Sequence, residues 1–190
     1  DTCRRLGELQ LELEQPAQSL SSLQRANGLL AKLVLANPPY TEDQYYFGWS
    51  QIKTALSQQR LGNLPGAVES CMQARDILDK LVRENPSVAE YRNGLATCYS
   101  DLGDLQRANG QPGESLRSSQ LACDEMERIV RDHPTISVYQ LNLIRDYRAL
   151  GRAHALLGQP AETIRVYHQA REHLEKLVRE TPTVTDYEYE

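Results

Sequence analysis

Four six-residue segments decide the fold of this chain: LVLANP at residues 33–38, LVRENP at 81–86, IVRDHP at 129–134 and LVRETP at 177–182. Each segment ends in a proline, and successive prolines are separated by 48 residues. The same step separates Ala26, Ala74, Ala122 and Ala170. Small residues recur at fixed positions of the period, whereas the residues at other positions differ from one copy to the next. The period therefore indicates one structural unit that is repeated four times.

Each unit is predicted to be a hairpin of two amphipathic helices. In the third unit, apolar residues follow the spacing of a helical face on both sides of the sequence GQPG at 110–113. The first stripe consists of Tyr91, Leu95, Cys98, Tyr99 and Leu102, and the second of Leu116, Cys123, Met126, Ile129 and Val130. One hairpin cannot bury both of its faces, so the units are predicted to stack into a solenoid.

The ends of the helices are predicted from proline, glycine and capping residues. The four repeat prolines should lie in short links, because proline in a helix interior costs about 3 kcal/mol. Gly62, Gly110 and Gly158 mark the turn inside each hairpin, where the first unit has Glu14. Capping boxes are predicted for Thr41 with Gln44, Ser87 with Glu90, and Thr183 with Asp186.

Charged residues of the second helices are spaced as an acid followed by a base four residues later. Examples are Asp79 with Arg83 and Glu127 with Arg131. Such pairs stabilise an exposed helix by about 0.2 to 0.5 kcal/mol each. We interpret them as a solvated outer face.

Composition excludes several classes of protein. The chain has 190 residues, of which 40% are hydrophobic and 25% charged, with a formal net charge of −5. These values are typical of a folded, soluble protein. No apolar run is long enough to span a membrane and residues 1–5 do not resemble a signal peptide, so we expect a cytoplasmic protein with no membrane partner. A mildly acidic chain without a lysine-rich block gives no reason to expect nucleic-acid binding.

No motif in the chain indicates catalysis or a cofactor. The sequence contains no GxSxG elbow, phosphate-binding loop or HExxH helix, so we expect no enzyme activity. The four cysteines, Cys3, Cys71, Cys98 and Cys123, form no CxxC pair and have no zinc-ligand spacing. They are predicted to be reduced thiols, and no metal or cofactor is expected.

The repeated residues resemble the tetratricopeptide repeat family. That family has Leu and Gly in the first helix, Gly at the turn, Ala in the second helix and Pro at the end. The third unit matches with Leu102, Gly103, Gly110, Ala122 and Pro134, and the fourth with Leu150, Gly151, Gly158, Ala170 and Pro182. The usual period is 34 residues. The extra residues therefore lengthen each helix by about two turns.

The resemblance implies an all-α, right-handed superhelical solenoid of stacked antiparallel helical hairpins. It covers nearly the whole chain, as a single array over 1–190. The units are 1–38 (truncated), 39–86, 87–134, 135–182 and the start of a further unit at 183–190. Long repeats of this kind resemble regions of bacterial serine/threonine protein kinases and signalling proteins, so the resemblance implies a fragment of a larger signalling protein.

The resemblance also implies a scaffold whose concave groove binds a peptide or protein partner. The family's inward positions correspond to Trp49, Ile52, Leu56, Thr97, Ser100, Asp104, Arg145, Arg148 and Arg152. Trp49 is interpreted as an apolar anchor and the arginines as ligands of carboxylates. Alternatively, the arginines form a solvated stripe paired with neighbours such as Asp104. Phe47, which is in phase with Leu95 and Leu143, is predicted to be a core residue.

A second hypothesis for the function is a self-associating structural spacer. In that case the ends or the convex faces would contact other copies of the chain, and the groove would stay empty.

Overall fold

A computed structural model describes residues 2–180, and over that range it contains only helices, turns and short links. The helices are α1 (Thr2–Glu12), α2 (Pro16–Ala36), α3 (Thr41–Arg60), α4 (Leu64–Glu84), α5 (Ala89–Ala108), α6 (Pro112–Asp132), α7 (Ser137–Leu156) and α8 (Pro160–Glu180). None of these helices is long and apolar enough to cross a membrane.

The helices keep the phase of the sequence repeat. The helices α3, α5 and α7 begin at residues 41, 89 and 137, and α2, α4, α6 and α8 begin at 16, 64, 112 and 160, always 48 residues apart. Pro38, Pro86 and Pro134 lie in the links between hairpins, as predicted. Pro182 lies outside the described residues.

The hairpins stack so that the helices form two layers. Each helix packs against the next one along the chain, and α1, α3, α5 and α7 also contact one another in succession. Within residues 2–180, no comparable contact joins successive helices of the set α2, α4, α6 and α8. The array therefore curves toward the first set, which we call the inner layer; the second set is the outer layer.

Small residues allow the two helices of each hairpin to cross closely. Gly103 on α5 lies so close to α6 that an added Cβ would be 2.9 Å from the Ser119 hydroxyl oxygen. At Gly151 an added Cβ would be 2.6 Å from the Tyr167 ring. The recurring alanines are also buried: Ala26, Ala74, Ala122 and Ala170 are 0 to 6% exposed. The small residues of the period thus mark helix contacts.

The turn inside each hairpin requires a left-handed backbone conformation. Gly62, Gly110 and Gly158 have φ values of 78°, 71° and 68°, and Glu14 takes the same turn with a φ of 56°. For a residue other than glycine this conformation costs about 1 to 2 kcal/mol. The first turn is therefore strained.

The predicted capping boxes at Thr41 and Ser87 are wrong. The residues that precede α3, α5 and α7 are Tyr40, Val88 and Ile136, and none of them makes a side-chain cap. Instead, one side chain in the second turn of each helix donates a hydrogen bond to the carbonyl of the repeat proline. The pairs are Gln44 with Pro38 at 2.6 Å, Arg92 with Pro86 at 3.0 Å, and Gln140 with Pro134. The box predicted at Thr183 lies outside the described residues.

The outer layer carries ion pairs, but only some of those predicted. Arg83 pairs with Asp79 at 3.2 Å. The predicted place of Glu127 on the solvated outer face is wrong, because its carboxylate accepts a hydrogen bond of 2.7 Å from the Tyr147 hydroxyl of the next hairpin. Glu127 therefore ties α6 to α7.

Two clusters of buried side chains form the core. One joins α3, α4 and α5 around Leu78 and Leu81, and the other joins α5 to α8 around Met126 and Ile129. The prediction that Phe47 is a core residue is wrong: it is only partly buried, whereas Leu95 and Leu143 are 2% and 1% exposed. Within the described residues, α1 begins at Thr2, which is in phase with Ser50, so no part of α1 corresponds to the turn of α3 that carries Phe47.

Replacing Glu14 by glycine should stabilise the chain by about 1 kcal/mol, because glycine adopts a positive φ without strain. Urea denaturation measures this change. The matched control is Gly110→Ala, which should lower the free energy of unfolding by a similar amount. Destabilisation by Glu14→Gly would contradict the account of this turn.

Ala122→Leu should overpack the crossing of α6 and cost about 1 to 3 kcal/mol. The same substitution at the exposed Ala108 is the control and should change little. Thermal unfolding compares the two variants, and equal melting temperatures would show that the Ala122 position has room for a larger side chain.

Candidate protein-binding groove

The inner layer contains a concave subsite where α1 faces α3. This cavity of about 320 Å³ is lined by Glu8, Leu11, Glu12, Trp49, Lys53, Leu56 and Arg60. Its two carboxylates come from α1, and its two cations come from α3 together with Trp49 and Leu56. We call it the Trp49 subsite.

Local contacts hold Trp49 in place. The Tyr45 ring meets the Trp49 ring edge to face at a centroid distance of 6.3 Å. The Lys53 ammonium lies 5.6 Å from the centre of the indole, within the range of a cation–π contact. Trp49 is therefore a partly buried aromatic side chain with fixed neighbours.

The wall of the subsite is fastened to α1. The Arg60 guanidinium donates a hydrogen bond of 2.8 Å to the Leu11 carbonyl, which joins α3 to α1. Glu8 pairs with Arg4 at 2.6 Å on α1 itself. The hydrogen bond from Arg60 holds α1 against α3, where the buried Leu11 and the partly buried Leu56 both line the cavity.

Farther along the inner layer, the groove becomes charged. Arg152 lies 3.8 Å from the Asp104 carboxylate, and both side chains are about two-fifths exposed. Arg145 is half exposed and lies 3.4 Å from Asp146. This geometry matches the alternative in which the arginines pair with neighbouring acids, and it leaves the guanidinium of Arg145 accessible to a partner.

Two of the predicted groove residues are inside the protein. Ile52 is 2% exposed and belongs to the core, and Ser100 is 5% exposed and donates a hydrogen bond of 2.9 Å to Asp146. Their predicted positions on the groove surface are therefore wrong. Both residues lie where one inner helix packs on the next. Arg148 occupies the same position of the repeat on α7, and it is partly exposed.

Sequence reasoning missed the charged lining of the Trp49 subsite. Lys53 and Arg60 lie four and eleven residues after Trp49, on the same face of α3, so helical spacing is a signal that could have identified them. Glu8 and Glu12 come from α1, whose incomplete repeat hid their position.

Two aspartates beneath the groove are held in an environment that disfavours their charge. Burial raises the pKa of Asp146 to about 6, although the nearby Arg145 cation and the hydrogen bond from Ser100 oppose that change. Burial likewise raises the pKa of Asp101 to about 6, against the cations of Arg145 and Lys53. The second carboxylate oxygen of Asp146 has no hydrogen-bond partner.

The environments of Cys71 and Cys123 make these two thiols poor nucleophiles. Cys71, Cys98 and Cys123 are buried, Cys3 is partly buried, and all four are unpaired. A hydrogen bond with Cys98, together with burial, raises the pKa of Cys71, and burial raises that of Cys123. A thiol with a raised pKa is a poor nucleophile at neutral pH.

The repeated hairpins and their two layers define the fold of the chain as a tetratricopeptide-like α-solenoid. No model of a protein family matches the chain, and no curated protein sequence matches it.

Solved structures of low sequence identity resemble the chain to different degrees. The MamA protein is 17% identical over 94% of this chain and 74% of its own, with a TM-score of 0.53. A putative kinesin light chain of Podosopora anserina with nearly identical TPR-like repeats is 19% identical over 94% and 96%, with a TM-score of 0.49. The thermophilic TPR protein TTC0263 of Thermus thermophilus is 18% identical over 98% and 93%, with a TM-score of 0.34. At these identities the similarity concerns the fold alone.

The raised pKa values predict a pH-dependent stability. An ordinary aspartate has a pKa near 3.9, so between pH 4 and 6 the folded chain keeps protons that the unfolded chain loses. This stabilises the fold as the pH falls from 7.5 to 5, by about 1 kcal/mol for each carboxyl group.

Asp146→Asn removes this titration. The variant should therefore be more stable than the wild type at pH 7.5, and its advantage should shrink by about 1 kcal/mol at pH 5. Urea denaturation at both values measures the difference, with the exposed Asp132→Asn as control. If the stability advantage of Asp146→Asn does not change with pH, burial does not raise the pKa of Asp146.

Proposed function

We propose that this chain is a protein-binding scaffold whose inner groove receives a peptide segment of a partner. The Trp49 subsite carries this proposal, because it combines a cavity of about 320 Å³ with an aromatic side chain and flanking charges. Arrays of stacked hairpins use such extended concave surfaces for binding. The chain is proposed to act without catalysing a reaction.

The chemistry of the groove suggests the kind of segment that fits. An apolar side chain of the partner would occupy the Trp49 subsite against Leu11 and Leu56. A carboxylate farther along the segment would meet Arg145 or Arg152, since a guanidinium can donate two hydrogen bonds to one carboxylate. Arg145 lies 3.4 Å from Asp146 and Arg152 lies 3.8 Å from Asp104, so a partner carboxylate would share each guanidinium with an acid of the chain itself. We place the partly exposed Arg148 at the edge of the surface that contacts the partner.

The context of the chain is part of the proposal. Unpaired thiols are typical of a reducing compartment, which agrees with a cytoplasmic location. A place within a larger bacterial signalling protein rests on the resemblance of the long repeats to regions of such proteins.

Binding can be followed at the site itself, because Trp49 is the only tryptophan in the chain. Peptides selected by the wild type from a displayed library should contain an apolar residue followed by Asp or Glu. Titration with such a peptide should shift the Trp49 fluorescence to shorter wavelength as water leaves the subsite. If the selected peptides contain no acidic residue, the proposal that the arginines bind a carboxylate of the partner is wrong.

Variants separate the groove from the outer layer. Leu56→Ala should lower the affinity for the selected peptides at least tenfold, because the apolar anchor of the peptide loses a contact. The double variant Arg145→Gln, Arg152→Gln should lower the affinity by a similar factor. The matched control is Arg83→Gln with Arg131→Gln on the outer layer, which should leave affinity unchanged. Loss of binding only in the control would move the function to the convex side.

A further inference from the structure

A second groove lies in the outer layer, between α4 and α6. It has a volume of about 540 Å³ and is lined by residues of α4, α5 and α6. Met72 and Arg75 come from α4, Tyr99 and Leu102 from the inner helix α5, and Arg117 and Leu121 from α6. We call it the Tyr99 groove.

Two exposed apolar side chains belong to this groove. Met72 is 43% exposed and Leu121 is 37% exposed. In the gap between α2 and α4, the residues in phase with them are Gln24 and Gln73, and in the gap between α6 and α8 they are Gln120 and Gln169. Among the gaps between the described outer helices, the Tyr99 groove thus has apolar residues where the other two have glutamines.

In the gap between α2 and α4, polar side chains of the chain itself connect the helices. Asn27 donates hydrogen bonds to Gln51 at 3.1 Å and to Thr54 at 3.0 Å. Gln51 in turn donates to Gln73 at 2.7 Å. In the Tyr99 groove, the residues in phase with these four are Arg75, Tyr99, Leu102 and Leu121. Arg75 donates to Asp76 on its own helix at 2.7 Å, and no side-chain hydrogen bond joins any two of the four within residues 2–180.

The Tyr99 groove also contains an exposed cation. The guanidinium of Arg117 makes no hydrogen bond or ion pair with any residue of the described range 2–180. By contrast, Arg165 on α8, which is in phase with Arg117, donates a hydrogen bond of 2.7 Å to Glu162. Glu114 is in phase with Glu162 and lines the groove, but it lies in the first turn of α6, where the helix N-terminus stabilises its negative charge. Arg117 is therefore able to bind an acidic group of a partner.

We propose that the Tyr99 groove binds a segment of a partner protein in which an apolar side chain lies close to a carboxylate. The apolar side chain contacts Met72 and Leu121, which removes their exposed surface from water. The carboxylate accepts hydrogen bonds from Arg117, whose planar guanidinium can donate two of them to one acidic group. Methionine, tyrosine and arginine are enriched where proteins contact one another. This surface belongs to the outer layer and is separate from the Trp49 subsite, so the proposal goes beyond the function of the inner groove.

Selection from a displayed library of random peptides tests this proposal. The parent chain for the selection carries Leu56→Ala, Arg145→Gln and Arg152→Gln, so that peptides specific for the inner groove are not recovered. The selected peptides should contain an apolar residue close to an Asp or Glu. Their affinity, measured by titration calorimetry, should decrease as salt is added, because salt screens the attraction between Arg117 and the carboxylate. Circular dichroism verifies that each variant is helical.

Variants of the groove can use residues that the chain itself has at equivalent positions. Met72→Gln combined with Leu121→Gln copies the neighbouring gaps and should lower the affinity for a selected peptide at least tenfold, because the apolar side chain of the peptide loses both contacts. Arg117→Gln should lower the affinity by a similar factor and reduce its dependence on salt. The controls are Val138→Gln, which replaces an apolar residue of 55% exposure on α7, and Arg165→Gln on α8. Both controls should bind like the parent chain.

The fluorescence of Trp49 distinguishes the two grooves. A peptide bound in the Tyr99 groove of the wild type should leave this fluorescence unchanged, whereas a shift would place the peptide in the inner groove and overturn the proposal. The proposal is also wrong if no peptide is recovered whose affinity depends on Met72, Leu121 and Arg117. If sedimentation equilibrium shows that these three residues instead hold two copies of the chain together, the occupant is a second copy, and the proposed partner segment is wrong. None of these results bears on peptides selected separately for the inner groove.

Discussion

The structure depends on one constraint: a long helical hairpin cannot bury both of its faces, so each inner helix must be covered by the outer helix before it. Burying a leucine side chain contributes about 1.5 to 3 kcal/mol. Leu102 and Leu150 obtain this stabilisation from the preceding hairpin, whereas Leu6, in phase with them, stays half exposed. The small residues of the repeat serve the same constraint, because they let the helices approach closely enough to exclude water.

The groove follows from this packing. Inner helices touch one another while outer helices are held apart, so the array is concave on the inner side. Residues between successive inner helices, such as Ile52 and Ser100, are buried in the contact between those helices. Those one turn away, such as Trp49 and Leu56, stay accessible and form the subsite proposed to bind a partner. The buried Asp146 is held beneath this surface at a cost in stability that decreases as the pH falls.

The sequence predicts the fold well because the repeated units can be compared with one another position by position. The proline links, the glycine turns and the buried alanines all follow from positions that recur while their neighbours change. Glu14 also follows, since its phase predicted a turn without glycine. The helix caps could not be predicted in this way, because Gln44 and Arg92 reach the proline carbonyl through side chains of different chemistry.

The candidate site was less predictable. Periodicity shows which face of a helix is apolar, but it does not show which of two adjacent faces contacts the next inner helix. Ile52, Ser100 and Arg148 share one position of the repeat, and only the structure shows that the first two are buried. The most direct test of the account is native-state hydrogen exchange, helix by helix. If neighbouring hairpins stabilise one another, amides of α4, α5 and α6 should exchange much more slowly than those of α1; equal protection throughout, or slowest exchange in α1, would contradict the account.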